Sequence, residues 1–120
     1  MRVERIGRHL LVPEPSSAKV QVALATGAIE GIDNGGVSCF KGIPFATQQR
    51  FRKPTNASAW AGVLDCTAPR AVAVQPDLAK EAYKQNMSGD CLHLNVWSPS
   101  QAVQSGSAKL PVVVWIHGGG

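Results

Sequence analysis

The chain has 120 residues, of which 44% are hydrophobic and 17% charged, and a net charge of +4. That length supports one domain but not two with sizeable cores. The composition excludes a disordered or collagen-like chain, and no apolar run approaches the roughly 18 residues that span a bilayer. The basic residues are scattered apart from Arg2, Arg5 and Arg8 and the cluster Arg50, Arg52 and Lys53. With neither a helical stripe nor stacking aromatics beside them, they predict a solvated or ion-paired surface and no nucleic-acid partner.

Residues 1–18 read as a poorly structured leader of mixed charge closing on "PEPSS". The early positive charge is followed by an apolar stretch of only residues 10–12, with Glu4 and Glu14 on either side, which fails as a secretory signal. A cytoplasmic location and no membrane association are the expectations. The Asn56-Ala57-Ser58 and Asn86-Met87-Ser88 sequons are then coincidental. From Lys19 a single domain is predicted, over residues 19–120. "KVQVALATG" alternates Val20, Val22 and Leu24 with polar or small residues, the period of a strand, and Gly27 permits a turn. "AIEGI" and "GVSCFKGIP" continue as short strands punctuated by Gly31 and by the tight-turn signal Asn34-Gly35-Gly36. An antiparallel meander is predicted.

Residues 44–76 keep no period and hold several prolines, which predicts ordered loop anchored by aromatic plugs at Phe45, Phe51 and Trp60. "DLAKEAYKQNM" predicts a short helix capped by Asp77, with Leu78, Ala82 and Tyr83 on one face. "LHLNVW" alternates again and predicts a strand, and "SPSQAVQSGSAK" is a polar connector. The last stretch, "LPVVVWIHGGG", is apolar at every position of "VVVWI", the pattern of a strand buried on both faces. Such a strand needs sheet neighbours and covering helices, and the chain supplies one short helix. The sequence therefore reads as the beginning of something larger, poorly stable alone.

Cys39, Cys66 and Cys91 form no C-x-x-C and have no histidine at zinc spacing. An odd count without a secretory signal favours free thiols; a Cys66–Cys91 bridge is the alternative. No metal site and no cofactor are predicted.

The glycines after the apolar run offer backbone N–H groups with no Cβ in the way. Aimed amides suit an anion, either a phosphate or the oxyanion of acyl transfer. The phosphate motifs G-x-x-x-x-G-K-[ST] and G-x-G-x-x-G are missing, whereas strand-H-G-G-G is the lipase and esterase pattern. A flexible end with no chemistry remains open on the triplet alone. Two S-x-x-K matches, Ser16 to Lys19 and Ser38 to Lys41, lack the S-D-N and K-T-G segments that would make them nucleophile motifs.

"FKGIPFA", "RFRKP", "SGDCLHLNVWSP" and "LPVVVWIHGGG" occur in one order and register, over about residues 24–120. In these motifs the chain resembles the N-terminal portion of the type-B carboxylesterases. The resemblance implies an α/β class, specifically an α/β-hydrolase fold represented by its N-terminal part: antiparallel hairpin strands leading into the central sheet. It implies a serine carboxylic ester hydrolase working through an acyl-enzyme on a small-molecule ester. The family's oxyanion donors fall on the backbone N–H groups of Gly119 and Gly120, with Gly118 shaping the turn and His117 orienting the loop. No G-x-S-x-G nucleophile elbow occurs, and the family's acid and base follow that serine. His9 and His93 are not substitutes; the family often has tyrosine at the latter position. The 120-residue chain alone is therefore expected to be inactive. The alternative is a non-catalytic interaction module complementing a separate hydrolase remainder.

The chain departs from the family at Gly89, where a glutamate usually pairs with the arginine at the Arg50 position. Arg50 then needs another partner or stays solvated. The family's partner cysteine for Cys91 is replaced within "RAVAVQP", and Cys66 lies several residues too early, so no first disulfide is expected.

Overall fold

The alternation read at Lys19 is realised as strand β1 (Ser17–Leu24), which already includes Ser17 and Ala18, two residues assigned above to the leader. It turns through Ala25 and Thr26 into β2 (Gly27–Asn34), the two strands pairing antiparallel from Leu24↔Gly27 to Ser17↔Asn34. A second turn at Gly35 and Gly36, both at positive φ, leads into β3 (Val37–Pro44). The Asp33 carboxylate fastens this turn by accepting the Gly36 N–H at 3.1 Å. The computed structural model describes residues 17–75, 86–107 and 109–118. The helix expected over residues 77–87 lies largely outside them, although Met87 is described and bridges Val72.

Gly31 does not punctuate β2 as expected, because the strand runs through it. Its missing Cβ admits the Phe40 ring and the Cys39 carbonyl, either of which a methyl group would strike. The same economy operates at Gly27, where the Trp60 indole lies over the bare Cα and donates its Nε1–H to the Ala28 carbonyl at 2.9 Å.

The stretch expected to be loop is partly regular. β4 (Ala46–Thr47) pairs with β5 (Thr55–Asn56) in a small two-stranded sheet, and β6 (Val63–Asp65) joins the main sheet. Of the three aromatics expected to plug this region, Trp60 does so. Phe45 is half exposed and Phe51 is 93% exposed, at a positive φ of 61°. Phe45 directly precedes β4, and Phe51 lies in the exposed connection between β4 and β5.

β2 and β3 pair directly only at Ile32↔Cys39 and Asp33↔Ser38. Beyond that point they diverge, and β6 runs parallel to β2 in the gap, Ala28↔Val63 to Glu30↔Asp65. The backbone of Cys66 closes the fork: its N–H donates to the Glu30 carbonyl and its carbonyl accepts the Lys41 N–H, each at 2.7 Å. Across β3 lies β7 (His93–Pro99), antiparallel, with a bulge that sets Lys41 and Gly42 against Asn95. The Asn95 carboxamide oxygen accepts the Gly42 N–H at 2.8 Å, so the extra residue does not leave an orphan donor. The result is a five-stranded sheet, β1-β2-β3-β7 with β6 on β2.

The connector after β7 is not irregular: it opens with helix α1 (Ser100–Ser105), closed by Gly106 in the left-handed conformation. The Ser38 hydroxyl donates to that of Ser100 at 3.1 Å, both buried, tying α1 to β3. Among the described residues the core comprises Ile29, Phe40, Ile43 and Cys66, with Val20, Val22, Trp60, Leu64 and Val103 packed against it.

Residues 109–118 do not form the strand read from their apolar pattern, and the neighbours that such a strand needs are missing among the described residues, as the sequence implied. The segment has no regular secondary structure, and residues 112–116 are 77–92% exposed. β-propensity supplies suitability for a sheet but no neighbours, and the described residues contain none for this segment.

Candidate functional site

The glycine loop is the first candidate. His117 Nδ1 lies 2.9 Å from the Gly118 carbonyl oxygen, one residue along the chain. An Nδ1–H donor there fixes the ring against the start of the loop and holds the Gly118 carbonyl on the imidazole side. Gly118 has no atom within 4 Å of where a Cβ would sit, so the surroundings leave space for another group to approach. The expected donors Gly119 and Gly120 lie outside the described residues.

A second cluster surrounds residues 86–93. Gln48 Nε2 donates to the Gly89 carbonyl at 2.6 Å and reaches Cys91 Sγ at 3.9 Å, so a neutral amide holds the loop at Gly89, where the chain lacks the glutamate that the resemblance would pair with Arg50. Arg50 turns instead over the Phe51 ring, its guanidinium carbon 5.0 Å from the centroid. Asp90 Oδ1 stands 3.8 Å from His93 Nε2, while His93 Nδ1 is buried with no hydrogen-bond partner among the described residues. Pro69, Arg70, Ala71, Asn86, Ser88, Asp90 and His93 line an open polar cleft of about 590 Å³.

Residues of the two S-x-x-K matches are engaged elsewhere. The Ser38 hydroxyl is committed to Ser100, and Lys19, the lysine of the other S-x-x-K match, is bonded to Glu30 at 2.6 Å. That bond, reinforced by the Gln21 amide, holds the Glu30 carboxyl below the usual carboxylate range and raises the Lys19 ammonium above its ordinary value. Asp33 is lowered chiefly by the Gly36 N–H, and Asp65 chiefly by the Thr67 hydroxyl. Burial pushes the Cys66 thiol up, away from the thiolate that a nucleophile requires. Cys39, Cys66 and Cys91 are free in this structure. Among the described residues no group of three His, Cys, Asp or Glu could hold a metal ion, and no helix is long and apolar enough to cross a membrane.

Comparison with known proteins decides what this frame belongs to. The profile of the Carboxylesterase family matches residues 17–120, from the first residue of β1 to the last glycine. The chain belongs to the carboxylesterase family. It is 45% identical over 98 residues to pyrethroid hydrolase Ces2a of Mus musculus, covering 71% of this chain and 17% of that protein. It is 41% identical over 100 residues to para-nitrobenzyl esterase of Bacillus subtilis, covering 78% and 20%. A solved para-nitrobenzyl esterase structure superposes with a TM-score of 0.70 at 40% identity, covering 82% of this chain and 21% of that one.

The chain thus spans about a fifth of the length of the carboxylesterases it matches. Its mostly antiparallel sheet is the N-terminal part of an α/β-hydrolase fold, as the resemblance implied. Carboxylesterase membership also accounts for the order of the four motifs. "FKGIPFA" runs out of the β3 bulge, "RFRKP" forms the exposed turn before β5, "LHLNVWSP" is the edge strand β7, and the glycines follow the apolar segment. Three features had little or no sequence signal: the fork at Cys66, the Ser38–Ser100 bond and the Gln48–Gly89 bond. The first depends on a three-residue strand, and the others join residues far apart in the chain.

Proposed function

We propose that this chain carries the oxyanion-hole loop of a serine carboxylic ester hydrolase, and that without the rest of the machinery it does not turn over substrate. The observation that carries the reading is the family match that extends to residue 120 and takes in the His-Gly-Gly-Gly run after the apolar segment. In this reading the N–H groups of Gly119 and Gly120 donate to the carbonyl oxygen of a small-molecule ester as it becomes an oxyanion. Donors about 2.7–3.1 Å from that oxygen contribute roughly 3 kcal/mol each. Gly118 keeps the approach open and His117 braces the loop from the other side. The nucleophile, its base and the acid come from a carboxylesterase remainder; acylation of the serine and hydrolysis of the acyl-enzyme follow.

The second reading, a non-catalytic module that complements a separate hydrolase remainder, is favoured by the exposed apolar residues 112–116. One experiment addresses both. Hydrolysis of para-nitrophenyl acetate is measured for the 120-residue chain alone and joined to the carboxylesterase remainder, then for the two pieces mixed as separate polypeptides. Activity confined to the joined form supports the oxyanion-loop reading, and recovery on mixing supports the module as well. Turnover by the 120-residue chain alone, blocked by a serine-directed inhibitor, would falsify the claim that it lacks a nucleophile.

A further inference from the structure

The small sheet of β4 and β5 and the segment that enters β7 come from distant parts of the chain, and the bonds between them are uncharged. The Phe45 N–H donates to the Leu92 carbonyl at 3.2 Å. Gln48 then spans 41 positions of sequence to the Gly89 carbonyl, with Cys91 Sγ in reach of the same amide nitrogen. On its other side the segment is held by Val72, whose N–H donates to the Asn86 carbonyl and whose carbonyl accepts the Ser88 N–H, each at 3.0 Å. Among the described residues, the hydrogen bond that fixes Gly89 towards the small sheet is the one from Gln48.

The charged groups beside this joint face elsewhere. Arg50 lies over the Phe51 ring, and Asp90 faces His93 while its N–H donates to Ser88 Oγ at 3.0 Å within its own segment. Among the described residues no ion pair links the two segments. The residue type at 48 suits the task. A carboxamide carries two N–H donors, and a carbonyl oxygen and a thiol sulfur both accept. A glutamate there would bring no donor, an asparagine would fall short by a methylene, and a lysine would donate but add a charge.

We propose that Gln48 is an uncharged strap that closes residues 89–91 against the small sheet, limits access to the Cys91 thiol, and does so equally at low and high ionic strength. An ionic strap weakens as salt shortens the Debye length from about 10 Å at 0.1 M to about 3 Å at 1 M. An amide bonded to a carbonyl has no net charge to screen. Cys91 is half-buried whereas Cys39 and Cys66 are buried, so its alkylation reports opening of the strap. The device makes no use of the ester-hydrolase reading.

The test is iodoacetamide labelling of the 120-residue chain, its folding checked by circular dichroism, with each cysteine followed by peptide mass spectrometry at about 0.1 and 1 M salt. Labelling through transient opening follows the population of the open form. Gln48→Ala and Gln48→Glu are each expected to speed Cys91 labelling roughly three- to tenfold, the scale of one net hydrogen bond. For Gln48→Ala the factor should be the same at both salt concentrations. Cys39 and Cys66 should keep their rates. Gly89→Ala is expected to change nothing, because the acceptor is backbone and a Cβ there meets no atom within 4 Å. Gln49→Ala, at the exposed neighbour, should be equally silent. An unchanged Cys91 rate in Gln48→Ala overturns the strap. A factor that shrinks at high salt overturns its uncharged character, and parallel acceleration of all three thiols overturns local opening.

Discussion

Ile29 and Val113 are both β-branched residues in stretches suited to strands, yet Ile29 is 2% exposed and Val113 is 92% exposed. Ile29 has Val22 opposite it on β1 and Leu64 opposite it on β6, and Phe40 and Cys66 pack against it. Val113 has the residue type but, among the described residues, none of the company. A strand is a property of pairing rather than of the segment that pairs, and cross-strand contacts are where the stabilisation resides.

That contrast can be broken at either end. The largest effect is expected from Phe40→Ala: removing a buried phenyl group from this core should cost roughly 3–5 kcal/mol, seen as a lowered urea midpoint or loss of the cooperative transition. Gly31→Ala comes next, at about 1–3 kcal/mol, because the new methyl meets the Cys39 carbonyl and the Phe40 ring. Trp60→Phe keeps an aromatic plug but withdraws the indole N–H from the Ala28 carbonyl, and should cost about 1 kcal/mol in the same assay. Val113→Ser should change the midpoint by less than about 0.5 kcal/mol, since the segment makes no packing that the substitution removes. A large loss at Val113 would show that the segment is packed in solution and would erase the comparison.

Proton linkage supplies a smaller handle on the packed half. Glu30 is depressed by the Lys19 hydrogen bond first and by Gln21 second. Its contribution is therefore complete above the ordinary carboxylate range and is lost as pH falls through the folded value. Lys19 is raised by the same bond, so its share is complete below its ordinary value and fades as pH rises through the folded one. Glu30→Gln should flatten the acid limb of a stability–pH profile and leave part of it, because Asp33 and Asp65 are depressed as well. An unchanged acid limb would show that the pair is screened to nothing, as exposed pairs often are.

Much of the sheet was legible in advance. Period-two alternation marks β1 and β7, and glycine turn signals delimit β2 and β3. α1 was missed because six residues cannot display a helical period, although Pro99 before it and Gly106 after it are the usual punctuation of a helix. β6 was missed because three residues, Val63 to Asp65, have a role only in the gap they fill. The apolar run before the glycines was legible as sheet-forming material, but its burial depends on groups outside the described residues. The candidate site divides the same way: the glycine motif is local and could be read, whereas Gln48 substituting at Gly89 joins residues on two separate loops.

The fork at Cys66 has a consequence for the order of folding. As the chain leaves the ribosome, β1 and β2 can zip together once Asn34 has emerged, since their pairing is entirely local. The amide of Lys41 is different: its acceptor is the carbonyl of Cys66, which emerges only later. Until then the far half of β3 has no neighbour on the β2 side. The meander therefore matures in two stages, a hairpin first and a wedge afterwards. Pulse-labelled amide exchange should record protection at Val22 before protection at Lys41.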